Sequence, residues 1–447
     1  MKDIFDLQNP WRNPGYTFPQ TSYIKRNVFD HLYGEMGHKE VTVVVGSRQV
    51  GKTFLMKKLI EKLLLNGEND PRQLFYFNFD SLDLIELVRN DRDFITFLDQ
   101  YGVAGRIAYV FLDEAQRVPD VGLLIKRYYD LGLNIKFVIS GSSSLQIKGQ
   151  VKETLTGRKR LFELYPITFE EFLNYKGVDV SSDLDAVYKF ESSHYQRLLE
   201  EFVLFGGYPG VVTTNSLEEK KSLLKEIYNS YVQKDISDFL KIEDGSGFNR
   251  LVQFASAKIG GLCKVNEISK NVRLSRHFVD KYLFALEEAY VISRLSPYFV
   301  NLGKAIGKTR KLFFCDTGIR NAIFGHFGSL KQRLDAGLLI ENFIFCELIK
   351  CLDKNRLWFY RTSAGSEIDF LFVEGNQTTP IEVKYGASRQ KIIPKAFDSL
   401  TGHTDLKKSI IVTKDYIYKE KKGAMDVAFL PAWAAYSLGN EIIGDIH

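Results

Sequence analysis

Residues Gly46-Ser47-Arg48-Gln49-Val50-Gly51-Lys52-Thr53 fit the pattern G-x-x-x-x-G-K-[ST], and no other stretch restricts the fold of this chain as tightly. The pattern acts only where a buried strand runs through a tight turn into a helix. Both flanks comply. Val41-Thr42-Val43-Val44-Val45 is a β-branched, apolar run, and Phe54 to Leu64 carries apolar residues at helical spacing. Gly46 and Gly51 let the backbone curl so that its N–H groups face one centre. The new helix adds its positive N-terminal end. The expected phosphate cradle is therefore Gly46, Ser47, Arg48, Gln49, Val50, Gly51, Lys52, Thr53 and Phe54. Lys52 is placed to reach the β- and γ-phosphates and Thr53 to offer its hydroxyl to Mg²⁺. ATP and Mg²⁺ are the ligands this predicts. A glycine turn that matches by chance is the alternative, and the flanks argue against it.

A phosphate loop needs an acidic partner, and the chain supplies one in the right order. Arg106 to Leu112 reads as an apolar strand that ends in Asp113-Glu114. Asp113 is expected to hold Mg²⁺, directly or through water, and Glu114 to polarise the water that attacks the γ-phosphate. Gln73 to Phe79 and Ile135 to Ile139 are further strands. The second ends in Ser140-Gly141-Ser142-Ser143-Ser144. Ser140 and Ser142 are candidates for sensing the γ-phosphate, against the plainer reading of a serine turn. In Gly157-Arg158-Lys159-Arg160, Arg158 or Arg160 is the candidate for neutralising charge on the γ-phosphate, within one chain or across a subunit interface. A solvated basic turn is the other reading.

Strands alternating with helices to about residue 166 predict a parallel α/β sheet. From Thr168 to about residue 245 the pattern is helical, broken by Phe205-Gly206-Gly207-Tyr208-Pro209-Gly210. Residues 246–300 then read as helix, short helix, turn, longer helix capped by Ser275, and strand. That is the order of a winged helix-turn-helix, with Ser275, Arg276, His277 and Lys281 exposed for contact with DNA. Protein contact, or transmission of nucleotide state, is the competing use.

Residues 301–447 carry a third arrangement. A helix over Asp335 to Leu348 precedes a strand at Leu357 to Arg361. The runs Glu367 to Val373 and Pro380 to Tyr385 follow. Alternate residues of a strand share a face, so Glu367 goes with Asp369 and Glu382 with Lys384. A hairpin would bring Asp369 beside Glu382, where two carboxylates bind a hard divalent cation. Glu341 is the expected further ligand from the helix. Lys384 is the candidate for activating water or steadying charge on phosphorus.

Composition sets the outer limits. A chain of 447 residues is long enough for about three domains, and 45% apolar residues give each a core. A net charge of +5 permits a nucleic-acid partner without arguing for one. Four cysteines without a C-x-x-C pair signal neither a zinc knuckle nor a disulfide framework. The polar start, Met1 to Asp6, does not read as a signal peptide, and no apolar run approaches the length of a membrane span. A cytoplasmic, reducing compartment is the expectation.

Taken together, the motifs resemble a family of prokaryotic AAA-type ATPases with a restriction-endonuclease-like, or PD-(D/E)XK-type, C-terminal domain. The resemblance rests on Gly46 to Thr53, Leu112-Asp113-Glu114-Ala115-Gln116, Ser140 to Ser143 and Gly157-Arg158. It continues through Leu164-Tyr165-Pro166-Ile167-Thr168-Phe169-Glu170-Glu171-Phe172 and Gly206-Gly207-Tyr208-Pro209 to Glu367-Ile368-Asp369-Phe370 and Ile381-Glu382-Val383-Lys384. It implies a P-loop ATPase core over 1–166, a helical lid over 167–245, a winged helix-turn-helix over 246–300 and a nuclease-like α/β domain over 301–447. It implies ATP with Mg²⁺, and it leaves DNA, a second copy or a protein as the further partner. Glu367-Ile368 precedes Asp369 where the nuclease signature has proline.

Overall fold

Strand β1 (Val41–Val45) is buried at all five positions, as a strand covered on both faces must be. Four further strands join it: β2 (Leu74–Asn78), β3 (Ala108–Asp113), β4 (Ile135–Gly141) and β5 (Lys159–Glu163). Their order is β2-β3-β4-β1-β5, and every pairing is parallel. Parallel neighbours require crossover connections, which helices such as Lys52–Leu65 and Val121–Asp130 supply. Because all five strands run the same way, the loops after β1, β3 and β4 gather at one edge of the sheet. That edge is where ligands bind in such sheets.

This computed structural model describes residues 2–19, 23–141, 154–180, 183–235, 245–299, 309–362, 365–386, 391–400 and 404–444. The sheet belongs to a first unit, Met1–Tyr165. Pro166–His447 form a second, and the boundaries expected near 245 and 300 both fall inside it.

The second unit opens with the helix Phe169–Tyr175. Thr168 caps it reciprocally: its hydroxyl accepts from Glu171 N at 3.1 Å, and Glu171 accepts from Thr168 N at 2.9 Å. The glycine motif then finds its reason in a later segment. Gly206 has φ +73°, and Gly207 N donates to the buried Asp316 carboxylate at 2.7 Å. A side chain on Gly318 would stand 2.1 Å from the Phe205 carbonyl oxygen. Gly206-Gly207 and Asp316-Thr317-Gly318 thus interlock backbone to backbone, which no larger residue permits.

Helices Gly245–Ala257, Val265–Val272 and Arg276–Glu288 precede the antiparallel pair β6 (Ile292–Leu295) and β7 (Lys311–Phe314). The apolar helix Ala336–Cys351 leads to a six-stranded mixed sheet. Its strands are β8 (Leu357–Arg361), β9 (Glu367–Glu374), β10 (Gln377–Lys384), β11 (Lys408–Thr413), β12 (Tyr418–Lys422) and β13 (Met425–Pro431), in the order β12-β13-β11-β10-β9-β8. Phe397, Leu400, Ile411, Val427 and Phe429 pack its core on one side. Among the described residues, no helix is long and apolar enough to cross a membrane.

Candidate functional site

At the binding edge of the first sheet, β1 ends in the glycine loop. Gly46 passes so close to β5 that a side chain there would meet the Leu164 carbonyl oxygen at 2.1 Å. Gln49 at φ +61° and Gly51 at φ +96° turn the backbone before the helix starts at Lys52. Ser47, Val50 and Lys52 are buried, while Arg48, Gln49 and Phe54 are exposed. The Lys52 ammonium donates to the carbonyls of Gly46 at 3.0 Å and Ser47 at 2.7 Å. Burial pushes its pKa down to about 8, against the pull of Glu114 and Asp113. Arg26 braces the loop from outside, donating to Val50 O at 3.0 Å and Tyr165 O at 2.8 Å.

Asp113 is fully buried and collects four donors. Thr53 Oγ1 and Tyr76 OH each donate to Oδ2 at 2.7 Å, while Ser140 Oγ and the Glu114 amide donate to Oδ1. A carboxylate offers about four lone-pair sites, so Asp113 has none to spare for a direct metal bond. Thr53 keeps its lone pairs while its proton is committed to Asp113. Glu114 sits at φ +54°, an uncommon conformation for a side chain of this kind, and accepts from Gln116 Nε2. The loop, the threonine and the acid pair therefore fit a triphosphate with Mg²⁺.

The second unit gathers another charged cluster. Hairpin pairing of β9 with β10 sets Asp369 against Glu382: Asp369 N donates to Glu382 at 3.2 Å, and Val383 N donates to Asp369 at 2.9 Å. Lys384 donates to Glu382. Glu341 reaches the cluster from helix Ala336–Cys351. At the centre, however, stands Lys311 of β7, whose ammonium lies 3.0 Å from Glu341, 2.6 Å from Glu367 and 3.3 Å from Asp369. Its side chain is 2% exposed. Glu341, Asp369 and Glu382 are the side chains that the sequence marks as ligands of one divalent cation. Glu341 and Asp369 meet, with Glu367, around the Lys311 ammonium, while Glu382 pairs with Lys384. Among the described residues, no group of three or more His, Cys, Asp or Glu side chains is arranged to hold a metal ion. Burial pushes the carboxyls of Glu341 and Glu382 up, and Asp369 adds to both. Burial opposes the charge on Lys311, but Glu341, Asp369 and Glu367 outweigh it and hold the ammonium above its ordinary range.

Residues 38–173 match the family model described as an AAA domain. Residues 38–173 are an AAA-type P-loop domain. Two further models match, each described as a domain of unknown function: DUF8612 over residues 196–330 and DUF4143 over 336–433. An uncharacterized protein of Haemophilus influenzae is 26% identical over 88% of this chain and 94% of its own length. One of Methanocaldococcus jannaschii is 27% identical over 77% and 75%. The solved Aeropyrum pernix Orc1 protein in complex with DNA covers 70% of this chain and 95% of its own, at 15% identity and a TM-score of 0.30. The A. pernix ORC2 protein in its ADP form gives 72%, 99%, 11% and 0.34. At these scores neither structure bears on function.

Within the AAA domain, Lys52, Thr53, Asp113 and Glu114 stand together, but Arg158 does not join them. Its carbonyl accepts from Val41 N at 2.8 Å, so it lies at the start of β1, whereas the loop lies past the end. Five residues of strand separate the two by roughly 16 Å. Its guanidinium pairs with Asp130 at 2.9 Å. Of the two alternatives for Arg158, this position leaves action across a subunit interface. Arg160 pairs with Glu35 at 2.8 Å. Ser142 lies outside the described residues, while Ser140 reaches Asp113. Tyr76 and Lys311 escaped the sequence reading. Both stand in short apolar strands, and nothing in Leu74-Phe75-Tyr76-Phe77 or Lys311-Leu312-Phe313-Phe314 says which polar atom turns toward a site.

Proposed function

We propose that the AAA domain binds and hydrolyses ATP with Mg²⁺, and that its nucleotide state governs the second unit. The observation that carries this is the convergence of a buried Lys52 ammonium, the Thr53 hydroxyl and the Asp113-Glu114 pair on one sheet edge. On binding, Lys52 exchanges two loop carbonyls for phosphate oxygens, and the loop amides orient the chain of phosphates. Thr53 would hold Mg²⁺, which supplies charge neutralisation on the phosphate oxygens when bound. Asp113 fixes the threonine rotamer through the hydroxyl proton. Glu114, on a loop held out by its left-handed backbone, accepts the proton of the attacking water. Purified protein should hydrolyse ATP with Mg²⁺. Lys52→Ala should lose binding and turnover, and Glu114→Gln should keep binding while turnover falls on the order of a hundredfold or more. Undiminished turnover in Lys52→Ala would exclude this site.

For the second unit, the reading that follows is a DNA-directed module. Helix Arg276–Glu288 is capped by Ser275, which accepts from Phe278 N at 3.3 Å, and it exposes Ser275, Arg276, His277 and Lys281. Arg276→Ala with Lys281→Ala should weaken DNA binding and flatten its salt dependence. A second reading is a nucleotide-gated switch for protein partners, in which the nuclease-like fold is a scaffold. The position of Lys311 among the carboxylates favours it.

A further inference from the structure

We propose that Lys311 is the resident cation of the carboxylate cluster: its ammonium takes the place a divalent ion would need between Glu341, Glu367 and Asp369, so this site neither binds Mg²⁺ nor cuts DNA. An ammonium has three N–H donors and no acceptor. Here each donor has its own carboxylate, at 3.0, 2.6 and 3.3 Å. A hard divalent ion would need about six oxygens, several of them water. Lys311, 2% exposed at the centre of the cluster, stands in that room itself. The Glu341 side away from Lys311 is closed by Gly260, where even a methyl group would stand 3.0 Å from Oε2. Asp369 Oδ2 is taken by Val383 N, and Glu382 by Asp369 N and Lys384. Glu367 is also approached by Arg361 at 3.6 Å. Four carboxylates thus face Lys311, Lys384 and Arg361, and the charge nearly closes without a metal.

Nor is Lys311 a loose arm that metal could push aside. Its backbone pairs with Leu295 of β6 on one side and bridges to Leu262 on the other. Its neighbours Arg310 and Leu312 are fixed by Cys263 N and Gly260 N, at 2.7 and 2.8 Å. The ammonium also lies 5.7 Å from the centre of the Phe359 ring. Lys311 ties β7 to helix Ala336–Cys351 and to β9, so the cluster serves as an internal strut.

The proposal stands on the second unit alone and is tested without nucleotide, so its outcome is separate from that of the ATPase reading. Free Mn²⁺ is followed by electron paramagnetic resonance in titrations of the full chain. Wild type and Asp369→Asn are expected to take up the same amount of Mn²⁺. Lys311→Met is expected to gain one Mn²⁺ per chain, and adding Asp369→Asn to it should remove that gain. Supercoiled plasmid with Mg²⁺ or Mn²⁺ should stay uncut by wild type. A wild-type Mn²⁺ site lost in Asp369→Asn, or cleavage lost in that variant, overturns the proposal. So does a folded Lys311→Met chain that takes up no additional Mn²⁺. Should Lys311→Met not fold, the comparison of wild type with Asp369→Asn still decides.

Discussion

Lys52 shows how burial tunes one residue for its task. Without ligand it is held by two carbonyls, and its pKa is drawn down to about 8. A triphosphate beside it must push that value up. Below about pH 8 the side chain is charged in both states, and ATP affinity carries no pH dependence from it. Above that, free protein loses the proton and bound protein keeps it, so affinity falls with rising pH by at most about tenfold per unit. Calorimetry in buffers of different ionisation heat should detect proton uptake on ATP binding at pH 9 and none from this group at pH 7. Tyr76 plays a quieter part. Its hydroxyl is deep, and burial together with Asp113 drives its pKa far up, so it acts only as a donor. Tyr76→Phe removes one of four donors from a buried carboxylate and should cost about 2 kcal/mol in urea unfolding. No change in midpoint would mean that water replaces it.

At the scale of elements, two close approaches of backbone to backbone decide where chain segments can run. Gly46 lets β1 meet the end of β5, with Leu164 N donating to Val45 O at 2.7 Å just beside it. Gly46→Ala should displace the loop, weaken ATP binding more than tenfold and cost roughly 1–3 kcal/mol from forced backbone shifts. The interlock of Gly206 and Gly318 with Asp316 makes the same kind of prediction in the second unit. Gly318→Ala should lower stability by a similar amount, roughly 1–3 kcal/mol. Gly210, four residues beyond Gly206 in the same motif, lies in a helix with open space around it. Gly210→Ala should be neutral or stabilising by up to about 1 kcal/mol. Thermal unfolding of the two variants separates a glycine needed for approach from one that is not.

For the molecule as a whole, the position of Arg158 raises the question of copy number. It cannot meet the phosphate of its own loop, and its ion pair with Asp130 is exposed enough to exchange cheaply. We therefore expect any action of Arg158 on phosphate to be on a neighbouring copy. Specific ATPase activity should then rise with protein concentration. Arg158→Ala should bind ATP normally yet turn it over slowly, and mixing it with Lys52→Ala should restore part of the rate. Activity independent of concentration, with no complementation, would leave Arg158 a surface residue.

The sequence by itself determined the phosphate loop and the strand and helix that flank it. A β-branched run, two glycines and a lysine at fixed spacing admit one local geometry, and strand ends that carry Asp113 and Ser140 can reach it only in a parallel sheet. It also determined that Asp369 and Glu382 would be neighbours, because a hairpin fixes its register locally. Only the tertiary structure decided which cation Asp369 faces. Lys311 lies 58 residues from Asp369 along the chain, and no local pattern reports that its ammonium ends among three carboxylates. The edge of the sheet on which Arg158 stands is likewise a matter of strand direction. Contacts within a few residues follow from spacing and sterics, whereas the partner of a buried charge is set by which distant segments pack against it.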